Sequence, residues 1–352
     1  MRNITFLSIL VIIIFIFSTV SPVIAQETKE RSYGFSFGGA VGFVYGKSSE
    51  LVYPISTKGE LLSELLWDIN SIFYFDIYAD FGRKDLMSGL GLFASVSFKL
   101  GIPGYSGIIE DRDWMSTANS NLTHFSSHKN ITNEFYWADI AIGLSIPVKS
   151  WFYITPFLSG SWMRFSFTGK DGYAKYARLS TCKPDCNAYV INGHTTGCVS
   201  NVYSSLYDPI NDNPHYLSFE GDVIRYRQDW LLAAAGFIIG TNILSPFLFE
   251  LSFHISPLTY CIATDDHLIR EDVTVFKDFT AWGLFLEPKS KVSFRMEKAD
   301  FSIELSYRYI SRTIGNGYVS YESLGKGFML TSNKTGAGLS ILNTRFLLKV
   351  RL

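Results

Sequence analysis

The sequence predicts an all-β, membrane-spanning barrel, on three observations: an export signal, repeated apolar–polar alternation, and the lack of any later helical span. The first 25 residues carry the signal. Arg2 gives a positive start, FLSILVIIIFIFSTV (residues 6–20) an apolar stretch, and the run ending at Ala25 a small-residue cleavage site. That stretch is short for a spanning helix and stops at Ser21-Pro22. Residues 26–352 are expected to form one domain, because no linker or change of composition divides them. With the leader removed, 30 basic residues face 32 acidic ones, which points neither to nucleic acid nor to a strongly acidic partner.

Each strand announces itself by its period. Successive strand residues point to opposite faces. In LGLFASVSFKL, Leu90, Leu92, Ala94, Val96, Phe98 and Leu100 line one face, with Gly91, Phe93, Ser95, Ser97 and Lys99 behind them. In WADIAIGLSIPV, Ala138, Ile140, Ile142, Leu144 and Ile146 stand against Asp139, Ala141, Gly143 and Ser145. FSIELSYRYISR sets Phe301, Ile303, Leu305, Tyr307 and Tyr309 against Ser302, Glu304, Ser306 and Arg308, and RFLLKVRL closes the chain in the same way. Such strands, apolar on one face and carrying isolated charges on the other, suit a barrel of the bacterial outer membrane. Closure of the barrel satisfies every backbone group in lipid. A soluble sandwich shares the period. Export, short aromatic groups (Phe73 to Phe75, Phe135 to Trp137, Trp151 to Tyr153) and a last strand running to Leu352 favour the barrel.

The longest polar, turn-rich stretch, about Gly169 to Asp222, reads as a loop excursion. It holds Cys182, Cys186 and Cys198, while Cys261 lies far off. Export permits disulfides among the four, with three connectivities open. A metal site at Cys182 and Cys186, with His194 nearby, is the weaker alternative.

Two charged groups stand at strand ends. In IIEDRDWMS, Asp111 and Asp113 lie two apart and share a face, so each disfavours the other's ionisation. In ATDDHL, Asp265 and His267 share a face and Asp266 points away. Either group alone also fits a solvated loop tip. Together they supply a histidine, a carboxylate that fixes its tautomer and raises its basicity, and a facing pair of carboxylates. Such a histidine can take a proton from water near neutral pH.

On these residues the chain resembles the omptins, ten-stranded outer-membrane endopeptidases of Gram-negative bacteria. Similar patches run in order from about Gly46 to the C-terminus: GKSSELVY, LLSELLW, EDRDWMS, SHKNITNEF, RFSFTGKDG, YRQDW, ATDDHL and NKTGAGLSILNTRF. The first 45 residues and the cysteine-bearing loop show no such match. The resemblance implies a ten-stranded antiparallel transmembrane β-barrel extending above the outer membrane, with a cleft at its extracellular rim. Carried over, Asp111 and Asp113 are a carboxylate couple, Asp265 and His267 a dyad across the cleft, and a water between Asp111 and His267 the nucleophile.

Substrate positions follow by the same resemblance. Glu50 matches one acid of a pocket for basic side chains, Ser63 a cleft position, and His128 a position on the leaving-group side. The second pocket acid is expected where this chain has Ala263, and His124 replaces an acid found in some members. Polypeptides with Arg or Lys at the cut are the implied substrates. No metal or organic cofactor is implied; lipopolysaccharide is, as an activating lipid. Arg164 matches one position of that lipid site, although Gly160, Trp162 and Asp229 depart from its pattern. Arg164 also reads as a rim arginine whose head reaches the interface. An adhesin working through its long loops is the alternative to catalysis. A pore is disfavoured, since barrels near this size are filled by side chains.

Overall fold

The computed structural model describes residues 33–352 apart from 55–60, 88–89, 116–121, 177–178, 182–188, 192–193, 197–201, 204–214, 271, 273 and 322–326. The leader, Cys182, Cys186 and Cys198 therefore lie outside the described residues.

The chain runs up and down as antiparallel strands. In order these are β1 (Tyr33–Tyr53), β2 (Ser63–Met87), β3 (Leu90–Gly101), β4 (Gly104–Asp113), β5 (His124–Lys149) and β6 (Phe152–Tyr176). Four very short strands follow, β7 (Leu179–Thr181), β8 (Tyr189–Ile191), β9 (His194–Thr196) and β10 (Val202–Tyr203), paired among themselves. Then come β11 (His215–Thr241), β12 (Phe247–His267), β13 (Thr274–Ala281), β14 (Phe285–Arg295), β15 (Ala299–Tyr321) and β16 (Met329–Arg351).

β1 pairs with β2 on one side and with β16 on the other, so the sheet closes on itself. β3 and β4 both pair with β2 and β5, forming one stave interrupted at Ile102-Pro103, where proline has no N–H to give the ladder. β13 and β14 both pair with β12 and β15 and form a second broken stave. At that break the Thr259 hydroxyl accepts from the Gly283 N–H at 2.7 Å. Ten staves result among the described residues, the number the resemblance implies.

Alternation decides what each stave shows. Val96, Phe98 and Leu100, Ile140, Ile142 and Leu144, and Ile303, Leu305 and Tyr307 are exposed and form an apolar belt. The long staves, such as β5 with 26 residues, outrun the roughly ten needed to cross a bilayer. Above the belt the outer face carries Lys47, Lys129, Lys170, Arg225 and Arg227. The interior is filled rather than open. Arg308 lies against Trp137 at 4.0 Å and pairs with Glu287 at 2.8 Å and Asp139 at 3.4 Å. Higher up, Trp67 stacks on Tyr226 with centroids 4.9 Å apart. Gln228 there accepts from Trp230 Nε1 at 2.9 Å and donates to the Tyr226 hydroxyl at 2.8 Å.

The structure adds detail to three of the sequence readings. The aromatic groups are split between faces by the strand period: Phe75 faces out while Tyr74, Phe135 and Trp137 fill the lumen. The polar stretch at 169–222 is not loop throughout, because β6 continues to Tyr176 and β11 starts at His215. Lys170, Asp171 and Gly172 form a bulge within β6, with positive φ at Asp171 and Gly172. Finally, Cys261 is a free thiol buried in the barrel wall, which removes it from the disulfide pairings.

Candidate active site

Asp111 and Asp113 end β4, opposite Leu65 and Ser63 of β2 and opposite Ser126 and His124 of β5. They continue the inward row of buried Ile109. Arg112, between them, turns to the other face and pairs with Glu110 and Glu64, so it does not neutralise them. The Ser63 hydroxyl bonds to both carboxylates. Burial, then the charges of Asp113 and Asp265, hold Asp111 well above the ordinary carboxylate range. Burial pushes Asp113 up to about 6, against the opposing pull of Ser63, His267 and Arg270.

Asp265 and His267 end β12 on its inward face. His267 Nε2 lies 2.8 Å from Asp265 Oδ2, and the Phe276 ring meets the imidazole edge-on at 5.3 Å. Asp266 turns outward toward Arg225 and Arg227. Asp265 raises Asp111 and His267 lowers Asp113, so the two pairs act on each other across the loop-bearing mouth of the barrel. Two groups that the sequence did not mark join them. Arg270, in the loop after β12, draws both aspartates of the couple downward. Asp278 of β13 is buried two residues below the row of Asp265, and burial with the Asp265 charge pushes it up to about 7. Its only sequence signal is an acid at an inward phase of a strand.

Glu50 is buried on β1, its Oε2 without a hydrogen-bond partner. Burial, then Asp265, Asp278 and Asp111, hold it well above its usual range. His128 is engaged at both ring nitrogens: Nδ1–H donates to the Asp171 carbonyl at 2.6 Å, and Nε2 accepts from Ser126 at 3.0 Å. His124 lies beside Asp113 in register, and burial lowers it to about 4. Arg164 sits apart, on the outer wall. It forks onto Asp229 at 2.7 and 3.2 Å and lies 5.6 Å over Trp162, so its charge is already matched. Among the described residues, no group of three or more His, Cys, Asp or Glu is placed to hold a metal ion.

Closed ring, outer apolar belt and filled lumen define an outer-membrane-type β-barrel with an acidic, histidine-containing mouth. Within that class, residues 31–194 match the Omptin family model. The match takes in residues 31–45 and the first two cysteines, which the patchwise resemblance had left out, and it ends before Asp265 and His267. The outer membrane protease OmpT from Escherichia coli shares the fold with a TM-score of 0.70 at 16% identity, over 92% of this chain and 99% of its own. The translocator domain of the autotransporter NalP from Neisseria meningitidis aligns with a TM-score of 0.32 at 9% identity, covering 93% and 90% of the two chains. The P. putida toluene transporter TodX gives 0.28 at 8%, covering 93% and 91%. No curated protein matches the chain. The likeness to OmpT is one of fold, an outer-membrane β-barrel.

Proposed function

We propose that this barrel is an endopeptidase of the outer membrane that hydrolyses peptide bonds beside Arg or Lys at an exterior-facing mouth. One observation carries the reading: the Asp265–His267 contact stands opposite a carboxylate couple on which it acts electrostatically. Asp265 Oδ2 accepts the hydrogen bond of His267 Nε2–H, which leaves Nδ1 as the base. A water between His267 and Asp111 gives its proton to Nδ1 while its oxygen adds to the scissile carbonyl carbon. The imidazolium, stabilised by Asp265, then returns the proton to the departing amine as the C–N bond breaks. The couple shares a proton at neutral pH and positions the water, with Ser63 orienting both carboxylates. General-base assistance of this kind is worth roughly a hundred- to ten-thousand-fold.

Glu50 is the anchor for the basic side chain. Lipopolysaccharide adds little in this reading, because Arg164 is held by Asp229. The test compares refolded protein with Asp111→Asn and His267→Ala on fluorogenic basic peptides, with and without lipopolysaccharide. Cleavage beside Arg or Lys is expected from the native chain alone, with at most a small gain from the lipid. Equal turnover in all three would end the assignment, and no turnover in any would favour a binding barrel.

A further inference from the structure

The acids of the mouth do not stop at the carboxylate couple and the dyad. Asp278 lies directly opposite Ala263 in the β12–β13 pair, and directly opposite Gly317 in the β13–β15 pair. Residues opposite one another in an antiparallel pair project to the same face. All three therefore line the lumen two residues below Asp265, about 7 Å deeper along the strand. Ala263 offers only a methyl group and Gly317 no side chain, so Asp278 occupies a notch between two small neighbours. The notch is fitted to it: a Cβ at Gly317 would stand 3.0 Å from Asp278 Oδ1 and 2.7 Å from Thr335 Cγ2.

Three staves round the ring, on β1, stands Glu50, with Oε2 buried and unbonded and within reach of the Asp278 charge. Among the described residues neither Glu50 nor Asp278 forms an ion pair, and no cation is among the groups that perturb either of them. Nearby Lys277 sits on the opposite face of β13, since adjacent strand residues alternate. Gln228, opposite Ala263 in the β11–β12 pair and hydrogen-bonded to Ser48 at 2.6 Å, flanks the notch, and buried Trp230, two residues deeper, fills the lumen beneath it. Two buried carboxylates without a counter-charge are costly unless they stay protonated or a cation arrives. The walls are proteinaceous and closed below, so the cation must enter from the mouth, past His267.

We propose that Asp278, reaching across the strand pair into the space left by Ala263, forms with Glu50 the pocket that binds the basic side chain of the substrate next to the cut. This rests on the endopeptidase reading. The second carboxylate is then not lost from this chain but supplied by the neighbouring strand. A Lys or Arg entering the pocket pairs with two acids, and the guanidinium of Arg can fork onto either.

The test measures kcat/KM for matched peptides bearing arginine or its neutral isostere citrulline before the cut. It uses the native barrel, Asp278→Asn, Glu50→Gln, and Asp278→Asn combined with Ala263→Asp. Heat-dependent gel mobility checks that each variant is folded. Asp278→Asn should reduce the arginine-over-citrulline ratio by roughly ten- to a hundredfold, mostly through KM. Returning an acid to position 263 should restore much of it. An unchanged ratio in folded Asp278→Asn, with collapse in Glu50→Gln, would overturn the role of Asp278 and leave the basic-residue reading standing. A native ratio near one would overturn both, and cleavage that persists with no preference would separate that failure from loss of the protease reading.

Discussion

Asp113 and Asp278 hold their protons at pH values where an unfolded chain has released them, and this sets the sign of the pH response. Burial raises Asp113 from 3.8 to about 6 and Asp278 from 3.8 to about 7. The folded state therefore binds more protons than the unfolded state between about pH 4 and 7, and stability falls as pH rises through that window. Each pKa unit corresponds to about 1.4 kcal/mol. Asp278→Asn removes the larger of the two contributions. It should raise the thermal midpoint at pH 8 and leave it nearly unchanged at pH 4, read by circular dichroism of the detergent-solubilised barrel. A midpoint at pH 8 equal to that of the native protein would contradict the burial argument.

At the scale of the element, the upper ends of β5 and β6 form one unit. Gly172 has φ of +110°, and a Cβ there would lie 2.1 Å from the Ser127 carbonyl, so the bulge needs glycine. The same bulge presents the Asp171 carbonyl to His128. With both nitrogens engaged, His128 serves the wall of the cleft more than its contents. His128→Ala should remove the hydrogen bonds to the Asp171 carbonyl and to Ser126 and cost about 1 kcal/mol. The expected result is a lower thermal midpoint with an unaltered preference after the cut, measured on a peptide panel. A changed preference at native stability would instead make His128 a substrate contact, as the resemblance implied.

The whole barrel is a stack of two plugs, aromatic above and ionic below, inside a closed ring. Arg308 is the centre of the ionic layer, 2% exposed and held by Glu287, Asp139 and Ser161. Truncating one member of a buried pair leaves uncompensated charge and costs roughly 3–5 kcal/mol. Arg308→Ala should lower the thermal midpoint sharply and raise conductance in a planar bilayer, where the native barrel passes little current. Native conductance comparable with that of an open pore would refute the filled lumen.

Alternation was legible in the sequence because it is local: an extended backbone must send Ile140, Ile142 and Leu144 one way and Asp139 the other. The same rule put Asp111 beside Asp113 and Asp265 beside His267 before any fold was known. It failed where both faces of a strand meet water, since the hydropathy contrast vanishes there. That is why the upper part of β6 read as loop. What the tertiary structure alone decided is which distant residues meet. Ala263 looked like a missing acid in its own strand, and only the register between β12 and β13 sets Asp278 beside it. Register depends on the turns and on ring closure, which act over the whole chain, so no window of sequence contains it.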